Sequence, residues 1–506
     1  MGILEEIAGK RRREIEKMGH APGTKLPERR SVPLIPFGAS PSGTGSRGNF
    51  IICEIKRSSP SRGSIAKNIS APEIAGEYAR YGVNHISVLT ERNYFSGSLD
   101  DLLLVKNRLP DTAVLRKDFL LDEEDIEVSY RAGADAVLLI AKLLPRDLLE
   151  RMYRRAKEFG MEALVEVHDK EDIDKIRDMS PTLTGINSRN LKDFSVDRGI
   201  PLQLKGHIDW ETTLVFESGI ISEEDALVAA YAGFKGMLVG EAVVREPELI
   251  GRIMKEISSY PAESNFWGRL FERAARKKRN QPLVKICGIT TERDAKAAAD
   301  NGADIIGFVF APSKRRADAN LPERLKDLEV LKVAVVVAGD GGEARAKMKA
   351  AGGKNQFEYQ HGEWPDSVKL VRSLLREGLI DAVQFHGSER PDQCFEMAFP
   401  YYKAVRVREA GDIEAMDRYR CPRVLADAYS EKAMGGTGER IGKVLLAALR
   451  KRGPLWLAGG INPENVTSII ENYRPELIDL SSGVEKVPGE KDAGKIQKLF
   501  REIRRV

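Results

Sequence analysis

The chain is poor in residues that staple a fold or hold a metal. Its 506 residues include four cysteines, Cys53, Cys287, Cys394 and Cys421, and no two form a C-x-x-C pair. That is too few for a disulfide scaffold and suits a reducing compartment, so a cytoplasmic protein is expected. The six histidines are scattered without metal-ligand spacing, so no metal and no cofactor is expected. An excess of one charge is also missing: 80 Lys and Arg stand against 76 Asp and Glu, a formal net charge of +4. Near balance gives no drive towards nucleic acid or a membrane surface. No apolar run approaches the ~18 residues that a membrane-spanning helix needs. The opening MGILEEIAGKRRREIEKMGH mixes both charges throughout, so no secretory leader is expected. Its sixth residue is Glu6, where N-myristoylation calls for Ser or Thr.

What is present is a rhythm. After an amphipathic helix over about residues 2–18 comes a stretch rich in Pro, Gly and Ser, SVPLIPFGASPSGTGSRGN. Short apolar runs then alternate with longer amphipathic segments: FIICEIK, HISVLT, AVLRKDF, AVLLIAK, ALVEVH, LTGINSR, TLVFESG and GMLVGEA. There are eight of these, the number that closes a parallel barrel. The rhythm breaks at SSYPAESNFWGRLFERAARKKRNQP and restarts with eight more: LVKICG, DIIGFVF, KVAVVVA, DAVQFHG, YKAVRV, RVLADA, LWLAGG and LIDLSSG. A barrel of this kind takes roughly 250 residues, so two fit. The expected architecture is α/β, two tandem (β/α)8 barrels over 1–258 and 282–506 with a linker at 259–281 and an N-terminal helical extension. A single doubly wound sheet explains the restart less well and needs a dinucleotide fingerprint that is absent. The RKKR of the linker reads as a solvated helix face rather than a nucleic-acid patch.

In such barrels chemistry sits at the C-terminal strand ends, and residues two apart share a face. In the first repeat those ends carry Glu54 and Lys56, Lys117, Glu166, Asn187 and Arg189, then Ser218 and Gly219 after the seventh strand. Any one of these could be a structural ion pair; titratable groups converging from several strand ends on one mouth point to function. Loops after strands seven and eight are the usual phosphate positions, and here they read ESGIISEEDA and VGEAVV. The second repeat has Lys285 and Cys287 two apart at the end of its first strand and Asp427 ending its sixth. AGGINPENV and SSGVE occupy its phosphate positions, with Pro463 and Glu464 read as a helix start. A cysteine with an aspartate across a mouth suits proton transfer on a sugar carbon. His386, in QFHG, stands alone among the strand ends.

These residues carry a resemblance. EIKRSSPSRG, VLRKDF, LVEVH, GINSRNL, ESGI and LVGEA resemble indole-3-glycerol phosphate synthase. VKICGIT, GFVF, DAVQFHG, GGTG, AGGINPENV and DLSSGVE resemble phosphoribosylanthranilate isomerase. The resemblance implies two TIM barrels and a fused pair of successive tryptophan-pathway enzymes, a carboxy-lyase and an isomerase. It implies Lys117 as general acid in indole ring closure, Glu166 handling the proton of the later dehydration, and Glu54 and Lys56 orienting the substrate. Asn187 and Arg189 would hold the anthranilate end, Phe95 and Phe119 would pack on its ring, and Ser59, Ser218, Gly219 and Gly240 would line the phosphate pocket. In the second barrel Asp427 would protonate the furanose oxygen and Cys287 would take the C2′ proton. Arg315 would meet the anthranilate carboxylate, His386 would contact substrate, and Gly460, Ser482 and Gly483 would hold phosphate.

The third strand of the second repeat runs on into VVVAGDGGEARAKM, and residues near 341–362 read as an exposed, glycine-led insertion. That insertion motivates an alternative in which only one barrel is active and the other is a structural partner. The expected partners are phosphorylated small molecules, with no nucleic acid and no membrane. The expected state is a monomer, with association with other tryptophan-pathway enzymes left open.

Overall fold

Each apolar run becomes a strand because it is buried on both faces, as strands of a parallel sheet wrapped in helices must be. In a computed structural model, which describes residues 3–38, 49–59, 63–64, 69–190, 195–259, 265–278, 280–338, 366–397, 399–428 and 441–506, the first eight runs are β1 (Phe50–Ile55), β2 (His85–Leu89), β3 (Ala113–Lys117), β4 (Ala136–Ile140), β5 (Glu162–Val167), β6 (Leu183–Asn187), β7 (Thr213–Glu217) and β8 (Gly236–Val239). All pairings are parallel, and β1 pairs with both β2 and β8, so the sheet closes. The second eight are β9 (Leu283–Cys287), β10 (Ile305–Val309), β11 (Leu331–Val336), β12 (Ala382–Phe385), β13 (Tyr401–Val407), β14 (Val424–Ala428), β15 (Trp456–Ala458) and β16 (Leu477–Leu480). They close in the same way, with β9 paired to β10 and β16. The fold is two (β/α)8 barrels, as expected.

The chain divides into two compact units, 1–260 and 261–506. The insertion near 341–362 and the GGTG at 435–438 lie outside the described residues. Among the described residues no helix is long and apolar enough to cross a membrane.

Short polar caps start the helices that follow the strands and so fix the loops at the mouths. Asp122, Asp169, Ser222 and Thr291 each accept a backbone N–H from the first turn behind them, which satisfies donors that a helix start leaves open.

Each barrel is closed at its lower end by the segment that precedes it. In the first unit Phe37 enters the core beside Phe50, Ile52, Leu115, Leu138 and Leu164. Its ring and that of Phe50 lie 5.0 and 4.7 Å from the ring of His85. Burial holds that histidine down at about 4, so it is a neutral part of the plug. In the second unit the expected linker holds a helix, Phe266–Ala275, whose Phe266, Trp267, Leu270 and Phe271 are buried. Trp267 lies 5.8 Å from Trp456, the first residue of β15, and Phe266 lies 6.2 Å from Tyr402 in β13. The segment is therefore a plug rather than a spacer. Its apolar face was masked in sequence by the charges between the aromatics. Burying each such ring stabilises by about 1.5–3 kcal/mol. Past this helix Arg276 and Lys278 are exposed, as read, while Lys277 is 2.7 Å from Asp304.

Candidate active sites

Parallel strands of matched register bring their last residues to one rim. In the first barrel Glu54 lies fifth in β1, and Lys56 just beyond it reaches back to Glu54 Oε1 at 2.8 Å. Gly240, after β8, faces this pair: a Cβ there would lie 2.9 Å from Glu54 Oε1 and 3.3 Å from Lys56 Nζ. The glycine thus leaves room for the ion pair.

Lys117 ends β3 and its ammonium meets two carboxylates, Glu166 Oε2 of β5 at 3.1 Å and Glu217 Oε2 of β7 at 2.5 Å. Glu217 escaped the sequence reading. The signal was available, since Glu217 is the last residue of TLVFE and shares a face with Val215, but the Ser-Gly turn behind it drew the phosphate reading. Gly185 in β6 makes space for it; a Cβ there would fall 1.9 Å from Glu217 Oε1.

The electrostatics follow from this triangle. Burial works against the charge on Lys117, but Glu217, Glu166 and Glu54 outweigh it and hold the ammonium well above its ordinary range. Burial would raise Glu166, but Lys117 and His168 overcome that and hold its carboxyl well below the usual range. Glu217 goes the other way, pushed up to about 8 by burial and by the charge on Glu166, against the pull of Lys117. The result is a cation that can donate, an ionised carboxylate, and a carboxyl that holds a proton near neutrality.

Around this centre the predicted residues are placed as follows. Phe95 and Phe119 bring their ring centroids to 6.2 Å. Their loops are pinned: Glu91 accepts the backbone N–H groups of Asn93, Tyr94 and Phe95, and Asp118 accepts that of Phe119. Asn187 ends β6, and its Oδ1 accepts the backbone N–H of Arg189 at 3.0 Å. Ser218 and Gly219 both have positive φ, 66° and 85°, so the chain turns sharply off β7. A Cβ at Gly219 would lie 2.8 Å from Val196 Cγ1, so only glycine fits there. Ser59 is described by its backbone, antiparallel to Gly63.

In the second barrel Cys287 ends β9 and Asp427 lies near the end of β14, both buried. Lys285, expected at the mouth beside Cys287, is instead sunk inside: its register partner is Asp479 of β16, which it meets at 2.6 Å with no side-chain exposure. Gly307 of β10 leaves room for both, since a Cβ there would lie 2.8 Å from Cys287 Sγ and 3.0 Å from Lys285 Cε. Burial pushes the Cys287 thiol up, and Lys285 opposes that shift.

A chain of hydrogen bonds leads outward from Lys285. Gln384 Oε1 accepts from Lys285 Nζ and from the Tyr402 hydroxyl. Its amide nitrogen therefore donates to His386 Nδ1, 2.8 Å away. The ring proton of His386 then sits on Nε2, which lies 3.1 Å from Asp427 Oδ2 but is not aligned to hydrogen-bond it. His386 thus stands against Asp427 rather than alone.

Arg315 is held by Glu485, at 2.9 Å from Nε to Oε1 and 2.8 Å from Nη2 to Oε2. A substrate carboxylate would compete with Glu485 for it. The loops after β15 and β16 touch, since a Cβ at Gly483 would lie 1.9 Å from the Ile461 carbonyl oxygen. Gly460 has φ +62° and its carbonyl accepts from Asn465 Nδ2 at 2.8 Å. The helix behind starts at Val466, later than Pro463, because Asn462 and Asn465 cap each other's backbone in a turn. Ser482 opens a short 3-10 turn, Ser482–Val484.

Among the described residues one group gathers three potential metal donors, His20, Asp122 and Asp125. Asp125 there already accepts from Arg11 at 3.2 Å and from the Leu121 backbone at 2.8 Å. It is an ion-pair cluster fastening the N-terminal helix, Ile3–Met18, to the barrel.

A family model described as indole-3-glycerol phosphate synthase matches residues 4–255, and one described as N-(5'phosphoribosyl)anthranilate (PRA) isomerase matches 365–502. The second match begins after β11, so Cys287 and Arg315 lie outside it. A multifunctional tryptophan biosynthesis protein of Schizosaccharomyces pombe is 31% identical over 474 residues, 90% of this chain and 59% of that protein. This chain thus spans less than two thirds of that relative. An indole-3-glycerol phosphate synthase of Desulfotalea psychrophila is 39% identical over 245 residues, 48% of this chain and 94% of that protein. Among solved structures, a phosphoribosyl anthranilate isomerase from Thermotoga maritima is 31% identical, covering 44% of this chain and 100% of its own, with a TM-score of 0.36.

Proposed function

We infer, because the chain belongs to the indole-3-glycerol phosphate synthase family and a phosphoribosylanthranilate isomerase domain follows in it, that its two barrels catalyse successive steps of tryptophan biosynthesis. The second barrel isomerises N-(5-phosphoribosyl)anthranilate to 1-(2-carboxyphenylamino)-1-deoxyribulose 5-phosphate. The first converts that product to indole-3-glycerol phosphate with loss of CO2 and water. The observation that carries this reading is the Lys117 ammonium gripped by Glu166 and Glu217 at a mouth that also holds the Glu54–Lys56 pair.

In the first barrel Lys117 donates its proton to the substrate carbonyl as the ring closes, and Glu166, kept ionised, takes the proton released on dehydration. Glu54 and Lys56 orient the substrate, Phe95 and Phe119 pack on its ring, and Asn187 and Arg189 hold the anthranilate end. Ser59, Ser218, Gly219 and Gly240 line the phosphate end. In the second barrel Asp427, with His386 at its carboxylate, protonates the ring oxygen, and the C1′–O bond breaks to leave a Schiff base. Cys287 as thiolate then removes the C2′ proton, and the enolamine collapses to the ketose. Arg315 leaves Glu485 for the substrate carboxylate, and Gly460, Ser482 and Gly483 hold phosphate. The protein works as a monomer on these phosphorylated small molecules.

The test is the pair of half-reactions, assayed on the wild-type chain and on Lys117→Ala and Cys287→Ser. Each substitution should cripple one activity and spare the other. If both variants run at the normal rate, the site assignment is wrong.

A further inference from the structure

Two carboxylates share the one ammonium of Lys117, and it sits closer to Glu217, at 2.5 Å, than to Glu166, at 3.1 Å. On those contacts alone Glu217 should win the negative charge and Glu166 should hold the proton, because like charges at such separation cannot both ionise freely. A third group reverses the order. His168, the residue just beyond β5 and two on from Glu166, shares its face. Its Nε2 lies 3.2 Å from Glu166 Oε1, the oxygen that Lys117 does not use. Each oxygen of Glu166 therefore faces its own cationic group, while Glu217 Oε1 is buried with no hydrogen-bond partner.

His168 is fixed from behind. Asp172, in the first turn of the helix Lys170–Ile176, accepts the backbone N–H of His168 at 3.0 Å and places its Oδ2 3.7 Å from His168 Nδ1. The helix cap Asp169 adds a second negative charge, itself paired with Lys142 from the loop after β4. Lys117 and Glu217 lie on the other side of the contact, bound to each other, with Lys117 also at Glu166 Oε2. The imidazole is 7% exposed and neither ring nitrogen makes an aligned hydrogen bond, so its interaction with both carboxylates is that of a buried charge.

We propose that His168, steadied by Asp172, is a positioning residue that assigns the negative charge to Glu166 and leaves the proton on Glu217, and so decides which carboxylate beside Lys117 can act as base. Burial opposes charge on the ring, but Asp172 and Glu166 outweigh it and lift His168 to about 9, so the imidazolium persists at neutral pH. The proposal rests on Glu166 as the proton-accepting group of the first barrel.

The experiment is the pH dependence of kcat for the first-barrel reaction in the full chain, comparing wild type with His168→Gln, Asp172→Asn and Glu166→Gln. Second-barrel activity on the same preparations reports folding of that unit. His168→Gln should lower kcat about tenfold at pH 7 with KM little changed. Its acidic limb should move up into the neutral range, because without the cation at its second oxygen Glu166 takes the proton and Glu217 the charge. Asp172→Asn should move the limb the same way by less, and it decides the matter if His168→Gln does not fold. A uniform loss of kcat with an unmoved limb overturns the proposal and leaves His168 a structural residue. Full activity of Glu166→Gln overturns the reading beneath it instead.

Discussion

Both barrels place a lysine against two partners, and the two lysines do different work. Lys117 sits at the end of its strand, 14% exposed, between two carboxylates from other strands. Lys285 is two residues short of its strand end, with no exposure, bound to Asp479 and Gln384. A step of one side-chain layer separates a partly exposed ammonium at the rim, the proposed proton donor, from a fully buried one. What is left at the second mouth is Cys287, whose thiol is drawn down by Lys285 below it and by Lys491, though not enough to offset its burial. The first centre is electrostatically crowded, and its protons are already sorted between donor and acceptor. In the second, the proposed base is a thiol that burial holds protonated, so it would have to be made by deprotonation. An ion pair of given composition inside a barrel is therefore no guide to function until its depth is known.

The comparison breaks most visibly at Lys117. Lys117→Met should lower first-barrel kcat by about 10²–10⁴, the range for losing a positioned acid, with second-barrel kcat unchanged. Equal damage to both reactions would mean that Lys117 is a strut as well. Lys285→Met should instead act on stability. It strands Asp479 as a buried charge without its cation, which costs about 3–5 kcal/mol. Adding Asp479→Leu should return much of that, because removing both partners leaves no orphan charge. Urea unfolding of the full chain followed by Trp267 and Trp456 fluorescence measures both; a single variant as stable as wild type would defeat the strut assignment. Next in size is Gly307→Ala. Its Cβ would press on Cys287 Sγ at 2.8 Å, so it should cost about 1–3 kcal/mol and displace the thiol. Isomerase kcat should drop while synthase kcat holds; an unchanged isomerase would show that the Cys287 side chain has slack.

The depth of a residue is what the sequence conceals. The strands were legible because buried parallel strands read as unbroken apolar runs, and Glu54, Lys117, Glu166 and Asn187 were legible because polar residues close those runs. Lys285 closes no run. It lies inside LVKIC, and only its register against Asp479 tells that it stays below the mouth. Glu217 was hidden by its neighbours, since the Ser-Gly turn offered a competing reason for the same loop. His168 and Asp172 form a unit only once the helix cap at Asp169 turns the chain back on itself. The helix Phe266–Ala275 failed as a sequence signal because charges stand between its buried aromatics, and composition alone took the stretch for a spacer.

The mildest test asks how each centre gets its base. In the first barrel Glu166 is held below the ordinary carboxylate range, so it is fully ionised throughout the neutral range and lends no slope there. In the second, burial raises the Cys287 thiol above its ordinary value even with Lys285 opposing. The acting form in the proposed mechanism is the thiolate, the deprotonated one, so a raised pKa leaves it a minority at neutral pH and its share grows as pH rises. Isomerase kcat measured with chemistry limiting should therefore climb with pH between about 6 and 9, approaching tenfold per unit while the thiol remains mostly protonated. A flat isomerase profile over that range would mean that bound substrate lowers the thiol far more than Lys285 does. The cation that matters would then be one brought to the mouth on binding, such as Arg315 released from Glu485, and the second centre would sort its protons only when occupied.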